Sequence, residues 1–273
     1  MAISAHSVSR LAGSEGDFMG RWDSGIYDSD ATLDAFGWLV SDYIKRELAY
    51  KFLPINILKT GRWLNEILGI LETMVILCEN KVGSWTYLWE YDDVIQTWEQ
   101  AFLDIWDSDW QRPQELSQVS YADYRKSNRH ICKDLFKYIF EMVDYWGDDV
   151  SDTKPISKQQ LPLLSLDSLF PADLLEHLTE SIVYTISDEN EYRDNSDAEH
   201  IWVAVDVMGI ICEAYQINFS YAHHIEKWEK QSNELLNMSD WQPKTPEEKE
   251  LDNHLRKNVD KIWARLKKYS KKQ

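Results

Sequence analysis

Two pairs of aspartates stand one residue apart in this chain, Asp28 with Asp30 and Asp107 with Asp109. Such pairs are the beginning of a calcium loop. That loop also needs a third oxygen ligand two residues on, a glycine at its sixth place and a glutamate at its twelfth. Neither pair is followed by that set. A metal-dependent hydrolase built on the aspartate clusters is therefore an alternative reading and not the leading one. His223, His224 and Glu226 lie close together in "YAHHIEKWE". A zinc-binding helix presents ligands at i and i+4, whereas adjacent histidines point about 100° apart. The chain contains no HExxH, GxSxG, P-loop or GxGxxG pattern, and nothing places a nucleophile beside a base. No catalytic residue, metal ligand or cofactor is assigned.

Carboxylates beside tryptophans suggest a different chemistry. Trp106, Asp107, Asp109 and Trp110 sit in "DIWDSDWQRP", and Asp240 and Trp241 in "MSDWQP". Trp22, Asp28 and Asp30 sit in "GRWDSGIYDSD". Aromatic anchors among acids suit a protein partner with a basic surface. These nine residues are the candidate partner-binding set, with the tryptophans at 106, 110 and 241 expected to be partly exposed. Trp98, Trp202, Trp228 and Trp263 fall on apolar faces and are expected in the core.

The composition fits this reading. The 273 residues carry a net charge of −18, which disfavours nucleic acid as a partner. Such a charge suits a basic protein, a cation or solubility. The last 23 residues, from Leu251, run against the trend, with eight basic and two acidic side chains. Lysines at the end of a closing helix suit its dipole. Three scattered cysteines, Cys78, Cys132 and Cys212, are too few for a disulfide framework and suggest a reducing, cytoplasmic setting. Residues 1–18 contain no apolar stretch of signal-peptide length. The runs Ile67–Cys78 and Ile201–Cys212 are too short to cross a bilayer and are broken by Glu72 and Asp206. Those two acids recur with Glu79, Glu199 and Glu213 at seven-residue steps. The spacing predicts a narrow polar stripe, solvated or turned toward another part of the chain.

The elements that must position these residues read as helices. Leu33, Phe36, Leu39, Val40 and Tyr43 follow helical spacing, as do Leu251, Leu255, Val259, Ile262 and Leu266. Ten glycines and seven prolines are few for a β-rich chain. "WTYLW", 85–89, is the one short strand candidate. The chain also reads as written twice. "ILGILETMVILCEN" (67–80) parallels "IWVAVDVMGIICEA" (201–214), and "IQTWEQAFLDIWDSDWQRP" (95–113) parallels "IEKWEKQSNELLNMSDWQP" (225–243). "NRHICKDLFKYI" (128–139) parallels "LRKNVDKIWARL" (255–266) more loosely. The fold expected is all-α: two related helical units from a tandem duplication, packed with approximate twofold symmetry. The expected boundaries are an extension over 1–18, unit one over 19–150, a linker over 151–165 and unit two over 166–273.

The stretch "MGRWDSGIYDSDATLDAFGWL" offers Asp28, Ser29 or Asp30 as the cap of a helix starting near Ala31. It also resembles the N-terminus of a bacterial family catalogued as domain of unknown function 4259. Met19, Gly20, Trp22, Gly25, Asp28, Asp30, Ala31 and Asp34 match the family's opening, while Asp23 and Tyr27 replace a usual glycine and phenylalanine. The resemblance implies a bacterial setting, places the family's start at Met19 and implies no chemistry. The function expected is non-catalytic protein binding, most concretely an immunity or antitoxin-type inhibitor of a basic bacterial toxin. A structural homo-oligomer is a further alternative.

Overall fold

In the computed structural model the described residues are 25–27, 29–53, 62–80, 92–108, 121–144, 168–187, 195–237, 243 and 245–270. They are helical, with no strand among them. The extension, the linker and the strand candidate at 85–89 lie outside the described residues.

Helix α1, Asp30–Phe36, begins at the opening stretch, where Ser29 is the cap that the sequence offered among three. Its hydroxyl accepts the Thr32 backbone N–H at 3.1 Å. The path then widens into a π-helical turn, Gly37–Ser41, and continues as α2, Asp42–Lys51. Helices α3 (Arg62–Glu79), α4 (Asp92–Trp106) and α5 (Tyr121–Asp144) follow. The second half holds α6 (Phe170–Thr185), α7 (Asn195–Tyr215), α8 (Ile225–Asn237) and α9 (Pro246–Tyr269). Thr245 and Glu248 start α9 with a reciprocal capping box.

Helix α7 explains the assembly. From Ile201 to Cys212 every residue is buried, and a helix apolar all round must be surrounded by protein. Helices α9, α6, α1 and α8 pack against it, and α3 touches it. Helix α1 therefore leans on the second half of the chain, while α6 leans on α3 of the first. One continuous apolar core runs through both halves.

A second junction is made by a carboxylate. Glu66 of α3 accepts from the Ser168 hydroxyl at 2.9 Å and from the backbone N–H groups of Leu169 at 3.2 Å and Phe170 at 3.1 Å. A side chain of one helix thus satisfies free donors at the start of another. Gly69 makes room for it, because a Cβ there would stand 2.6 Å from the Ser168 Cβ.

Trp202, Trp228 and Trp263 are buried as the apolar faces predicted. Trp98 is half-buried and lies parallel to the Phe52 ring at 4.9 Å. Cys212 is buried, whereas Cys78 is only partly covered.

Candidate interaction surface

Of the acids at seven-residue spacing, Glu72, Glu199 and Asp206 are buried, Glu79 is partly covered and Glu213 is exposed. Glu72 is 3% exposed and Asp206 is 7% exposed. Asp206 accepts from Arg265 Nη1 of α9 at 3.0 Å and from the Tyr27 hydroxyl at 3.4 Å. Burial raises its pKa, and the Arg265 guanidinium opposes the rise. Burial, followed by the nearby Asp206 charge, holds the Tyr27 hydroxyl well above its ordinary range. Arg265 also approaches Glu213 at 3.6 Å. It can lie flat on α7 because Gly209 beneath it has no side chain. Two turns earlier, the Ser29 hydroxyl donates to the buried carboxylate of Glu199. The opening stretch is thus fastened to α7 at Ser29 and Tyr27, with Ile26 buried beside them.

The candidate partner-binding residues separate into three groups. Trp22, Asp28, Asp109, Trp110, Asp240 and Trp241 lie outside the described residues. Trp106 corrects the expectation of an exposed anchor, since it is 1% exposed and its ring lies 5.8 Å from Phe102. Helix phase decides this: Trp98, Phe102 and Trp106 step by four and form one inward face. Asp30 and Asp107 are exposed. Both oxygens of Asp107 accept from Arg129, at 2.9 and 2.8 Å from Nε. A bidentate pair of this kind occupies the carboxylate. Among the described residues no group of three or more His, Cys, Asp and Glu side chains could hold a metal ion. The rings of His223 and His224 instead lie 3.9 Å apart with their planes tilted by 41°, and His224 stacks on Trp228 at 5.8 Å.

An aromatic–acidic surface does form, at residues the sequence reading did not select. Trp38, in the π turn, is 73% exposed. Asp34 and Asp42, four residues to either side, are exposed as well. A π turn opens the helical hydrogen-bond ladder. Here the Leu39 carbonyl takes the His177 ring nitrogen Nε2 of α6 at 3.1 Å. His177 lies parallel to Tyr43 at 4.3 Å, and Tyr43 also faces Phe170 at 6.0 Å. Tyr43 therefore meets the early part of α6 and Leu39 meets its middle.

The outer face of α6 continues the surface. Leu169, Asp173, Glu176, Glu180, Val183 and Tyr184 recur at three- and four-residue steps, and all are exposed. Helix α6 contains no lysine or arginine, and none of its three carboxylates is held in an ion pair among the described residues. Partial burial raises the pKa of Asp173, and Glu66, Glu47 and Glu176 raise it further against the pull of Lys51. Burial and the charges of Glu47 and Asp173 push Tyr43 up to about 12. Lys51 near Asp173 and Arg46 near Tyr43 and His177 are the cations at this place.

Comparison with protein-family models, with curated proteins and with solved structures finds no match for this chain. No helix among the described residues is long and apolar enough to cross a membrane.

Proposed function

We propose that this chain is a non-catalytic protein-binding protein, most concretely an immunity or antitoxin-type inhibitor of a basic bacterial toxin. The observation that carries the reading is Trp38, exposed beside a helix whose outward acids lack basic neighbours on the same helix. A large aromatic side chain ringed by charge is the usual composition of an interface anchor. A net charge of −18 would steer a basic partner to the site. The resemblance of Met19–Asp34 to the bacterial family supports the bacterial context. The candidate residues outside the described segments, together with Asp30, belong to the same proposed binding set.

The same reading includes a tandem duplication. In each half, opening helical segments lead to a long apolar helix, a tryptophan-bearing helix and a long closing helix. Supporting it, Glu72 and Asp206, which the parallel stretches of sequence pair, are both buried, and Trp98 and Trp228 each lie on the helix that follows. An approximate twofold relation between the halves would follow.

The test is capture of binding proteins from the native host, followed by association kinetics at several salt concentrations. A basic protein should be recovered, its on-rate should fall as salt rises, and Trp38→Ala should weaken its binding without lowering the Tm. Recovery of no basic protein, or indifference to both salt and Trp38, would remove the inhibitor reading.

A further inference from the structure

The middle of α9 carries outward lysines, opposite in charge to the outer face of α6, with Glu250 and Asp260 also exposed on the same helix. Lys257 and Lys261 are exposed one helical step apart on this helix, and Lys268, further along the same side, is paired with Glu213 at 3.7 Å. Other bases of α9 are engaged: Arg265 with Asp206, Lys267 with Glu229 at 2.6 Å, and Arg256 with Asp252 at 2.9 Å. Lys261 donates only to the neutral Asn258 side chain at 2.9 Å, and Lys257 has no carboxylate partner among the described residues. A chain with an excess of acid thus leaves lysines unneutralised on one outward face.

We propose that this lysine face docks on the α6 face of a second copy of the same chain. This inference rests on the reading of α6 as a docking surface and adds a second occupant for it. Lys257 and Lys261 are separated by one helical step of four residues, as are Glu176 and Glu180. Both steps span about 6 Å along a helix axis. Two ion pairs can therefore form in register between helices laid side by side. Tyr184 and Val183 extend the acidic face with apolar area, and the long lysine stems can cover it. In a twofold pair each copy offers its α6 to the other's α9, so the contact is made twice. Making it twice brings a strip one helix wide toward the roughly 1,200 Å² of a stable interface. The net charge of −18 on every copy opposes growth beyond the pair. A basic protein partner and the second copy would compete for α6, so self-association sets how much binding face is free.

The experiment is a charge exchange read by sedimentation. The parent chain should sediment as a dimer at low salt and as a monomer in about 1 M salt, where the Debye length falls to about 3 Å. Lys257→Glu/Lys261→Glu and Glu176→Lys/Glu180→Lys should each weaken the dimer by at least about tenfold. An equimolar mixture of the two variants should dimerise again, because both contacts then join opposite charges. The single variants Lys257→Glu and Glu176→Lys give the same exchange if a double variant fails to fold. A monomeric parent at low salt, a dimer indifferent to the variants, or a mixture that stays monomeric would overturn the proposal. The inhibitor reading is judged separately, by capture on Lys257→Glu/Lys261→Glu, whose α6 is unchanged.

Discussion

The His177 ring joins two helices from opposite halves of the chain, with Nε2 3.1 Å from the Leu39 carbonyl and its face 4.3 Å from Tyr43. Because the partner is a carbonyl, the Nε2 nitrogen must donate. Burial lowers the His177 pKa, the nearby Arg46 charge lowers it further, and the Leu39 hydrogen bond and Glu180 oppose both. A histidine with a lowered pKa takes up its proton more readily when the chain is unfolded. Stability should therefore be level above the ordinary histidine value and fall as pH drops through it, from about 6.5 downward. Thermal melts between about pH 8 and about pH 5 should show this slope, and His177→Gln should make it shallower whatever its effect on the Tm at neutral pH.

Trp98 and Trp228, which the parallel stretches of sequence pair, should differ in weight. Trp228 is fully buried, and its truncation to alanine should cost about 3–5 kcal/mol. Trp98 is half-covered, packed on the core with its ring parallel to Phe52, so its truncation should cost roughly half as much. Denaturant titration of both variants checks the order. An equal loss would mean that Trp98 is better covered than its ring contact implies.

Gly69 should not tolerate a methyl group. A Cβ there would meet the Ser168 Oγ at 2.1 Å and its Cβ at 2.6 Å, and Ser168 is tied to Glu66. Gly69→Ala should destabilise the chain by about 1–3 kcal/mol, and Ser168→Gly in the same chain should restore part of the loss. Chemical denaturation of the two single variants and the double variant measures the coupling.

Removing Arg265 would leave Asp206 buried without its cation. Arg265→Met should cost on the order of 2–3 kcal/mol, toward the lower end for a broken buried pair because the guanidinium is partly exposed. Asp206→Asn on that background should recover much of the loss. Additive single effects would show that the pair is not coupled.

Asp107 provides a contrast with the acids of α6. Its carboxylate is held by Arg129, so reversing its charge should break an exposed surface pair and leave stability nearly unchanged. Reversal at Glu176 and Glu180 should instead reduce the association rate with a basic partner. Kinetics of Asp107→Lys beside Glu176→Lys/Glu180→Lys would separate the two acidic places.

Much of the fold is legible in residue spacing. Leu255, Val259, Ile262 and Leu266 are all buried on α9, as their period requires. The surface was harder to read. Trp106 stands beside acids and looks exposed until Trp98 and Phe102 are counted with it at four-residue steps. Trp38 is hidden in the apolar string "FGWLV". The useful signal was Asp34–Trp38–Asp42, which places that tryptophan on a charged line. The π turn blurs the helical phase at the same place, since its wider turn shifts every residue that follows. The burial of Asp206 depends on Tyr27 and Arg265, which are remote from it in sequence, and local periodicity carries no trace of either.

The docking of the opening stretch on α7 also has a consequence in time. Tyr27 and Asp206 are 179 residues apart, and α1 packs on a helix that is among the later parts of the chain to be made. At ribosomal rates of about 5–20 residues per second, α1 waits roughly ten to thirty-five seconds for its neighbour to be made. During that interval the apolar side of α1, with Ala35 and Phe36, has no α7 to cover it. The first of the described helices is thus among the last to reach its place, and a nascent chain stalled before α7 would carry that uncovered side to whatever chaperone meets it.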